Sequence, residues 1–284
     1  MKLAILSGKG GTGKTTVSTN IAYLLKTFPL VDTDVEEPNG HIFMKAVSSE
    51  DRPVKKAFPV VDENTCTLCG KCGDFCRFNT LLPAKNNVIV YKEMCHDCGG
   101  CEIVCPTNSI SYSEREIGKI TEAKTYFDSD FYYGTMNVGE LSGVRIIENL
   151  VEEVSSKHEN IIIDCPPGTS CATVAAVENA DRALLVTEAT PFGLSDMKMV
   201  VDMLEEMKIP FDVVINKYDE AYEELENYLE EKSINIIGRI PFKKEYAMMY
   251  SEGKVISEFS EDFKKEVEKI ITSLPLGRGS RNDS

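Results

Sequence analysis

The chain has 284 residues, 42% of them hydrophobic, enough to bury a full core in one large domain and leave room for a small one. Asp and Glu number 46 against 31 Lys and Arg, and the net charge of −15 repels nucleic-acid backbone and anionic lipid alike, so neither is an expected partner. The apolar stretch from Lys2 to Leu6 is too short for a signal-peptide core, and no apolar run approaches the ~18 residues that span a bilayer; a cytoplasmic protein is expected.

Lys2 to Leu6 reads as a short buried strand. A glycine-rich turn follows, and Val17, Ile21, Leu24 and Leu25 give Lys14 to Lys26 a helical period. Leu30 to Val35 is a second strand, ending in Asp32 and Asp34 before the chain-breaking run from Glu36 to Asn39. From about Pro59 to Glu116 the alternation stops, and this cysteine-rich, helix-poor stretch is read as an insertion. The alternation then resumes with helices Leu141 to Ser156, after Gly168, Leu194 to Met207 and Glu220 to Glu231. Strands are expected at Asn160 to Asp164, Arg182 to Glu188, Phe211 to Asn216 and Asn235 to Ile240. Alternating βα units with β-branched strands predict a parallel sheet covered by helices on both faces. A last helix, Ser257 to Ser273, carries Phe259, Phe263, Val267, Ile270 and Ile271 on one face; its polar face mixes acids with lysines, which favours packing on the sheet over membrane anchoring. The tail 276–284 is expected to be disordered.

Gly8-Lys9-Gly10-Gly11-Thr12-Gly13-Lys14-Thr15 fits G-x-x-x-x-G-K-[ST] between a strand and a helix. Glycines allow backbone N–H groups to face phosphate oxygens, and the helix N-terminus adds its positive end. Lys14 is expected to reach the β- and γ-phosphates and Thr15 to hold Mg²⁺, with Thr16 closing the loop.

Eight of the ten cysteines fall in two copies of one spacing 29 residues apart, Cys66, Cys69, Cys72, Cys76 and Cys95, Cys98, Cys101, Cys105. In C-x2-C-x2-C-x3-C the close trio holds one iron–sulfur cubane and the remote cysteine serves the other. Cys66, Cys69, Cys72 and Cys105 are therefore expected to share one [4Fe–4S], and Cys95, Cys98, Cys101 and Cys76 the other. Zinc is the rival metal for C-x2-C pairs, but the cross-strapped pattern and Cys105-Pro106 argue against it. Cys165 and Cys171 are left over; a third, subunit-bridging cluster at Cys171 is weighed against a plain small hydrophobe, and the latter is preferred.

The extra Lys9 makes the loop resemble the deviant Walker A loop of the MinD, ParA, Mrp and nitrogenase iron-protein superfamily. Val31 to Asp34 and Ile161 to Gly168 are similar to its switch I and switch II. The resemblance covers about 1–58 and 117–275 and implies a doubly wound, mainly parallel P-loop ATPase sheet in two segments. It makes Lys9 the lysine that crosses a dimer interface, Asp34 the water-positioning carboxylate with Asp32 beside it, Asp164 the outer-shell Mg²⁺ group and Asn216 the base contact. Residues 59–116 resemble a two-cluster bacterial ferredoxin, a small inserted α+β domain; Arg77 departs from it where that pattern has proline. The whole implies an ATP-dependent homodimer, or a heterodimer with a paralogous ATPase, using ATP, Mg²⁺ and two [4Fe–4S] clusters. Two functions stay open: ATP-gated electron transfer to a partner protein, or a carrier for iron–sulfur or metal-cofactor assembly. A MinD-like positioning role leaves the cysteines without work.

Overall fold

The computed structural model describes residues 1–275; the tail expected to be disordered lies outside them. β1 (Lys2–Leu6), α1 (Lys14–Leu25), β2 (Leu30–Asp32) and the short α2 (Gly40–Met44) come first. β3 (Ala46–Val61) then runs for 16 residues. Residues 62–109 hold only short elements: α3 (Lys71–Phe75), the hairpin of β4 (Leu81–Pro83) and β5 (Val88–Val90), and α4 (Gly100–Ile103). β6 (Ile110–Thr125) returns antiparallel to β3, also over 16 residues. After β7 (Asp130–Met136) come α5 (Val144–Lys157), β8 (Ile161–Asp164), α6 (Cys171–Val177), β9 (Arg182–Glu188) and α7 (Pro191–Met207). The rest is β10 (Phe211–Tyr218), α8 (Glu223–Glu231), β11 (Ile236–Pro241), α9 (Lys244–Ser251), α10 (Ile256–Phe259) and α11 (Glu261–Ser273).

The main sheet has the order β11-β10-β9-β1-β8-β2-β7-β6-β3. Every pairing from β11 to β7 is parallel, whereas β6 and the outermost β3 run antiparallel. The central strands alternate between two cores as a period of two requires. Leu3, Ile5 and Ile162 face α1, α10 and α11, while Ala4, Leu6, Ile161 and Ile163 face α5, α6 and α7. Both faces are covered, so these strands read as continuous apolar runs. This is the doubly wound, mainly parallel α/β sheet that the sequence predicts.

Three departures have local causes. The second strand stops at Asp32 rather than Val35, because the Asp32 carboxylate accepts from Asp34 N at 3.1 Å and turns the chain. The last helix is two: Ser260 leaves the helical region, and its hydroxyl accepts from Phe263 N at 3.3 Å to start α11, so Phe259 is left half exposed on α10. α7 begins at Pro191, three residues early, under a Thr190 cap that accepts from Gly193 N at 3.0 Å. β7 and α9 were not anticipated.

The long β3–β6 ladder continues through positions 59 and 116, which pair with Tyr112 and Lys55, with register shifts between Ala46 and Ser48 and between Val54 and Lys55. It closes at Val61 opposite Ile110, so residues 62–109 form one loop outside the main sheet. That loop has a small core of its own around Leu81, Cys101 and Ile110. Replacing 62–109 by an Asn-Gly turn between Val61 and Ile110 should leave one cooperative thermal transition, lowered by no more than about 4 °C, or roughly 1 kcal/mol for a domain of this size. Calorimetry showing no transition would mean that the cysteine loop is required to fold the sheet.

Candidate nucleotide site and cysteine cavities

The register β1–β8–β2 pairs Ile5 with Asp164 and Asp164 with Asp32, bringing three strand ends to one edge. Ligands of open α/β sheets bind at such carboxyl ends. The loop after β1 crosses there and enters α1 through Gly13, whose φ of 92° is left-handed and whose Cβ position is filled by the Asn216 amide nitrogen at 2.0 Å. α1 has no side-chain cap and no acid in its first turn, so its leading N–H groups are left for an anion. Beside them lies a cavity of about 520 Å³ lined by Lys14, Thr15, Asp34, Asn216, Phe242 and Tyr250 among others, a size that suits a nucleotide. Two buried oxygens at this edge, Asp164 Oδ1 and Thr12 Oγ1, have no hydrogen-bond partner among the described residues. A phosphate chain with a hydrated Mg²⁺ fits this combination of orphan acceptors, N–H donors and one lysine.

The charges here are mutually dependent. Lys14 Nζ stands 3.6 Å from Asp164 Oδ1. Burial pulls the Lys14 ammonium down, but Asp164, Asp34 and Asp32 outweigh it and leave its pKa above the ordinary lysine value. Asp32 is pushed up to about 7, first by burial and then by the Asp164 charge, against N–H bonds from Gly40 and Asp34. Burial also raises Asp34, with Lys14 opposing. Tyr250 is raised by burial and by Asp164.

The expected site residues take these places. Gly8 has the α7 backbone at Asp196 2.4 Å from its Cβ position, so only glycine fits. Gly10, Gly11, Thr15 and Thr16 line the cavity with Lys14. Lys9 Nζ lies 3.6 Å from Glu188 Oε2 of its own chain, on the rim. Asn216 Nδ2 donates to Thr12 O at 2.7 Å, tying β10 to the phosphate loop. Asp32 is fully buried and accepts from Asn39 N and Gly40 N at 3.1 and 2.8 Å, so it shapes the turn that carries Asp34. Missed by the sequence reading are Lys217, which donates to Gly11 O at 2.6 Å and Glu188 Oε1 at 2.7 Å, and the aromatic wall of Phe242, Tyr246 and Tyr250. Lys217 directly follows Asn216 and was within reach of the motif; Phe242 follows β11 and the two tyrosines lie on α9, where no motif marks them.

All ten cysteines are free. Among the described residues no three Cys, His, Asp or Glu side chains converge as the ligands of a single metal ion do. The cysteines instead line two separate voids: Cys76, Cys95, Cys98 and Cys101 a cavity of about 530 Å³, and Cys66, Cys69, Cys72 and Cys105 a tighter one of about 20 Å³. A cluster wears its four cysteine ligands on the outside of a cage, so a ring of cysteines around a void is the arrangement it fits. Both voids carry four cysteines of the kind a cluster takes, the roomier one with space around them and the tighter one with little. The two repeats also share a backbone: left-handed φ occurs at Leu68 and Asp97 (55° and 54°), Gly70 and Gly99 (79° and 74°), and Asn79 and Asn108 (54° and 50°). Burial works to raise the Cys76 and Cys105 thiols, but N–H donors two and four residues on outweigh it and hold both below the usual thiol range. Cys165 is buried, its thiol donating to Ile163 O at 3.7 Å, and Cys171 is exposed.

The family model described as the CobQ/CobB/MinD/ParA nucleotide binding domain matches residues 3–256. The uncharacterized protein MJ0579 of Methanocaldococcus jannaschii is 32% identical, over 98% of each chain. An iron–sulfur cluster carrier protein of Pyrococcus furiosus is 24% identical, over 84% of this chain and 73% of its own. Among solved structures, the cell division ATPase MinD of Pyrococcus furiosus has a TM-score of 0.59 at 20% identity, over 95% of this chain and 96% of its own. MinD of Pyrococcus horikoshii, complexed with Mg-ADP, has a TM-score of 0.59 at 18% identity, over 95% and 93%. These structures share the mainly parallel α/β P-loop fold. No helix among the described residues is long and apolar enough to cross a membrane.

Gly13→Ala is the sharpest test of the loop. A Cβ forced into the left-handed region costs ~1–2 kcal/mol even in open space, and here it would also expel the Asn216 amide. Nucleotide affinity by calorimetry should fall at least about tenfold, and an unchanged affinity would detach the cavity from nucleotide binding.

Proposed function

This chain belongs to the CobQ/CobB/MinD/ParA nucleotide-binding family, and we propose that it binds and hydrolyses Mg-ATP. The observation that carries this reading is the convergence of Lys14, Thr15 and Asp34 on one cavity at the N-terminus of α1, with Asp164 Oδ1 3.6 Å from Lys14 Nζ. Lys14 and the loop N–H groups meet the phosphate charge; Thr15 holds Mg²⁺, with Asp164 in its outer shell. Asp34, held at the cavity edge by the Asp32 turn, orients the attacking water. Lys9, at the rim, leaves Glu188 to neutralise the γ-phosphate of a second subunit, so that closure of a homodimer, or of a heterodimer with a paralogue, becomes conditional on the triphosphate.

Residues 59–116 act in this reading as an inserted ferredoxin-like domain between the ATPase segments 1–58 and 117–275, with two [4Fe–4S] clusters. Support comes from the grouping of cysteines about the two cavities, Cys105 with the Cys66 trio and Cys76 with the Cys95 trio. Such clusters supply one-electron chemistry, which closure of the ATPase directs to a redox partner protein. The likeness to an iron–sulfur cluster carrier protein favours a second reading, delivery of clusters or metal cofactor to an accepting protein.

Anaerobically prepared protein should contain ~8 iron atoms per chain, and Cys66→Ala and Cys105→Ala should empty the same cluster. Damage to different clusters would break the interlocked assignment. Lys14→Ala should lower ATP affinity at least about tenfold, whereas Asp34→Ala should bind ATP normally and turn over roughly a hundredfold more slowly, because a water-positioning group acts at the transition state. Equal affinity losses in both would remove Asp34 from that role. Delivery is told from electron transfer by adding an apo-acceptor protein: clusters that stay on the chain through ATP turnover exclude the carrier reading.

A further inference from the structure

The two cysteine repeats fold alike but are not lined alike. Leu81 and Ile110, 29 residues apart, are both buried in the small core. Two positions further on, the repeat-related residues are Pro83 and Tyr112. Pro83 lays its ring against Gly73, next to Cys72, with its Cδ 2.5 Å from the glycine's Cβ position. Tyr112 places its hydroxyl 3.0 Å from Cys101 Sγ. A second repeat-related pair shows the same difference: Pro106 lines the cavity of Cys66, Cys69, Cys72 and Cys105, and Arg77 lines that of Cys76, Cys95, Cys98 and Cys101. At these two places proline stands on the side of the first cavity, whose hydroxyl contact to a cysteine sulfur, Thr107 Oγ1 to Cys105 Sγ, is the longer one at 3.8 Å, while the second has the Tyr112 hydroxyl and the Arg77 cation.

We infer that Tyr112 and Arg77 set the two clusters at different potentials, making the one bounded by Cys76, Cys95, Cys98 and Cys101 the more easily reduced; this rests on the proposal that the cysteines hold iron–sulfur clusters. One-electron reduction adds a negative charge to a cluster. A hydroxyl donated to a ligating sulfur and a nearby guanidinium stabilise that charge, whereas a proline ring offers neither. Both cavities border the long ladder: Asp97 Oδ2 accepts from Ala57 N of β3 at 3.4 Å, and Val61 and Ile110 at the end of the ladder line the other void. Tyr112 and Arg77 are positioning residues: they act through the cysteine sulfurs and their field, and no ATP-site residue touches them.

The test is an anaerobic dithionite titration of the full chain, followed by EPR. Wild type should show two one-electron waves. Tyr112→Phe should move the higher wave downward by about tenfold in the reduction equilibrium, about 59 mV for one electron, and leave the lower wave in place. Arg77→Gln, an exposed change that leaves the fold alone, should move the same wave in the same direction. Superposed waves in wild type, a lower wave that moves instead, or a higher wave indifferent to both substitutions each overturn the inference. Iron and acid-labile sulfide are measured on every sample, so a wild-type chain without clusters marks failure of the cluster reading itself. A Tyr112→Phe chain that loses iron leaves the decision to Arg77→Gln.

Discussion

Lys14 carries its charge into a place where burial alone would strip it, and three carboxylates keep it there. Asp164, Asp34 and Asp32 surround one ammonium, so the cluster holds more negative than positive charge; Asp32, the most deeply buried, relieves the excess by moving toward its neutral form. A buried ion without a partner costs several kcal/mol, and the register of β1, β8 and β2 exists at this edge with that cost already met. The same balance makes the site responsive. Phosphates add negative charge against Lys14 and a divalent cation adds positive charge against Asp164, so neither enters on equal terms without the other.

The turn after β2 is joined to the rest of the sheet by Thr33, whose N–H and hydroxyl both donate to Asp164 O at 3.0 and 2.8 Å, and by Val35. Val35, directly after Asp34, is buried against Gly134 and Gly143, where any Cβ would overlap it at 2.6 and 2.3 Å. Its carbonyl accepts from Met136 N at 2.8 Å, and Asn137 N in turn donates to Ile117 O on β6 at 2.9 Å. Arg115 of β6 forms a two-pronged ion pair with Glu140, one arm at 2.8 Å, fixing the segment before α5. A displacement at Asp34 thus meets close-packed backbone that leads to the strand carrying Tyr112. Glycines at 134 and 143 are what allow the packing to be that close.

Much of this was legible in the chain, and the reasons are specific. The P-loop announces itself because phosphate binding needs glycine, lysine and threonine at fixed offsets, and the parallel strands because burial on both faces leaves apolar runs at Ile161 to Ile163, Ala183 to Val186 and Val213 to Ile215. The cysteines group about two voids as the repeat spacing leads one to expect, Cys105 with the Cys66 trio and Cys76 with the Cys95 trio. What escaped was set by tertiary context. β3 and β6 carry Ser, Glu, Asp, Arg and Lys along exposed stretches, so no hydrophobic period marks strands of that length. Ser260 looks like any polar residue on an amphipathic helix until its hydroxyl caps the next one. The aromatic wall at Phe242 and Tyr250 is assembled from elements distant in sequence from the phosphate loop, and Asn216 spends its amide on Thr12 O, a use no motif could foretell.

The outermost strand has a bearing on how copies of this chain can meet. β3 presents a bare row of backbone donors and acceptors, an invitation for another strand to add itself. Its sequence refuses the invitation: Pro53 and Pro59 interrupt the donors, and Glu50, Asp51, Arg52, Lys55 and Lys56 crowd the rim with charge of both signs. Sheet-to-sheet joining along this side would strip water from those ions, among them Asp51, Arg52 and Lys55 in their exposed pairs with Lys119, Glu122 and Glu114. Self-association is thereby turned away from the flank of the sheet, and the strand-end edge that carries Lys9 and the phosphate loop has no such guard against a neighbour.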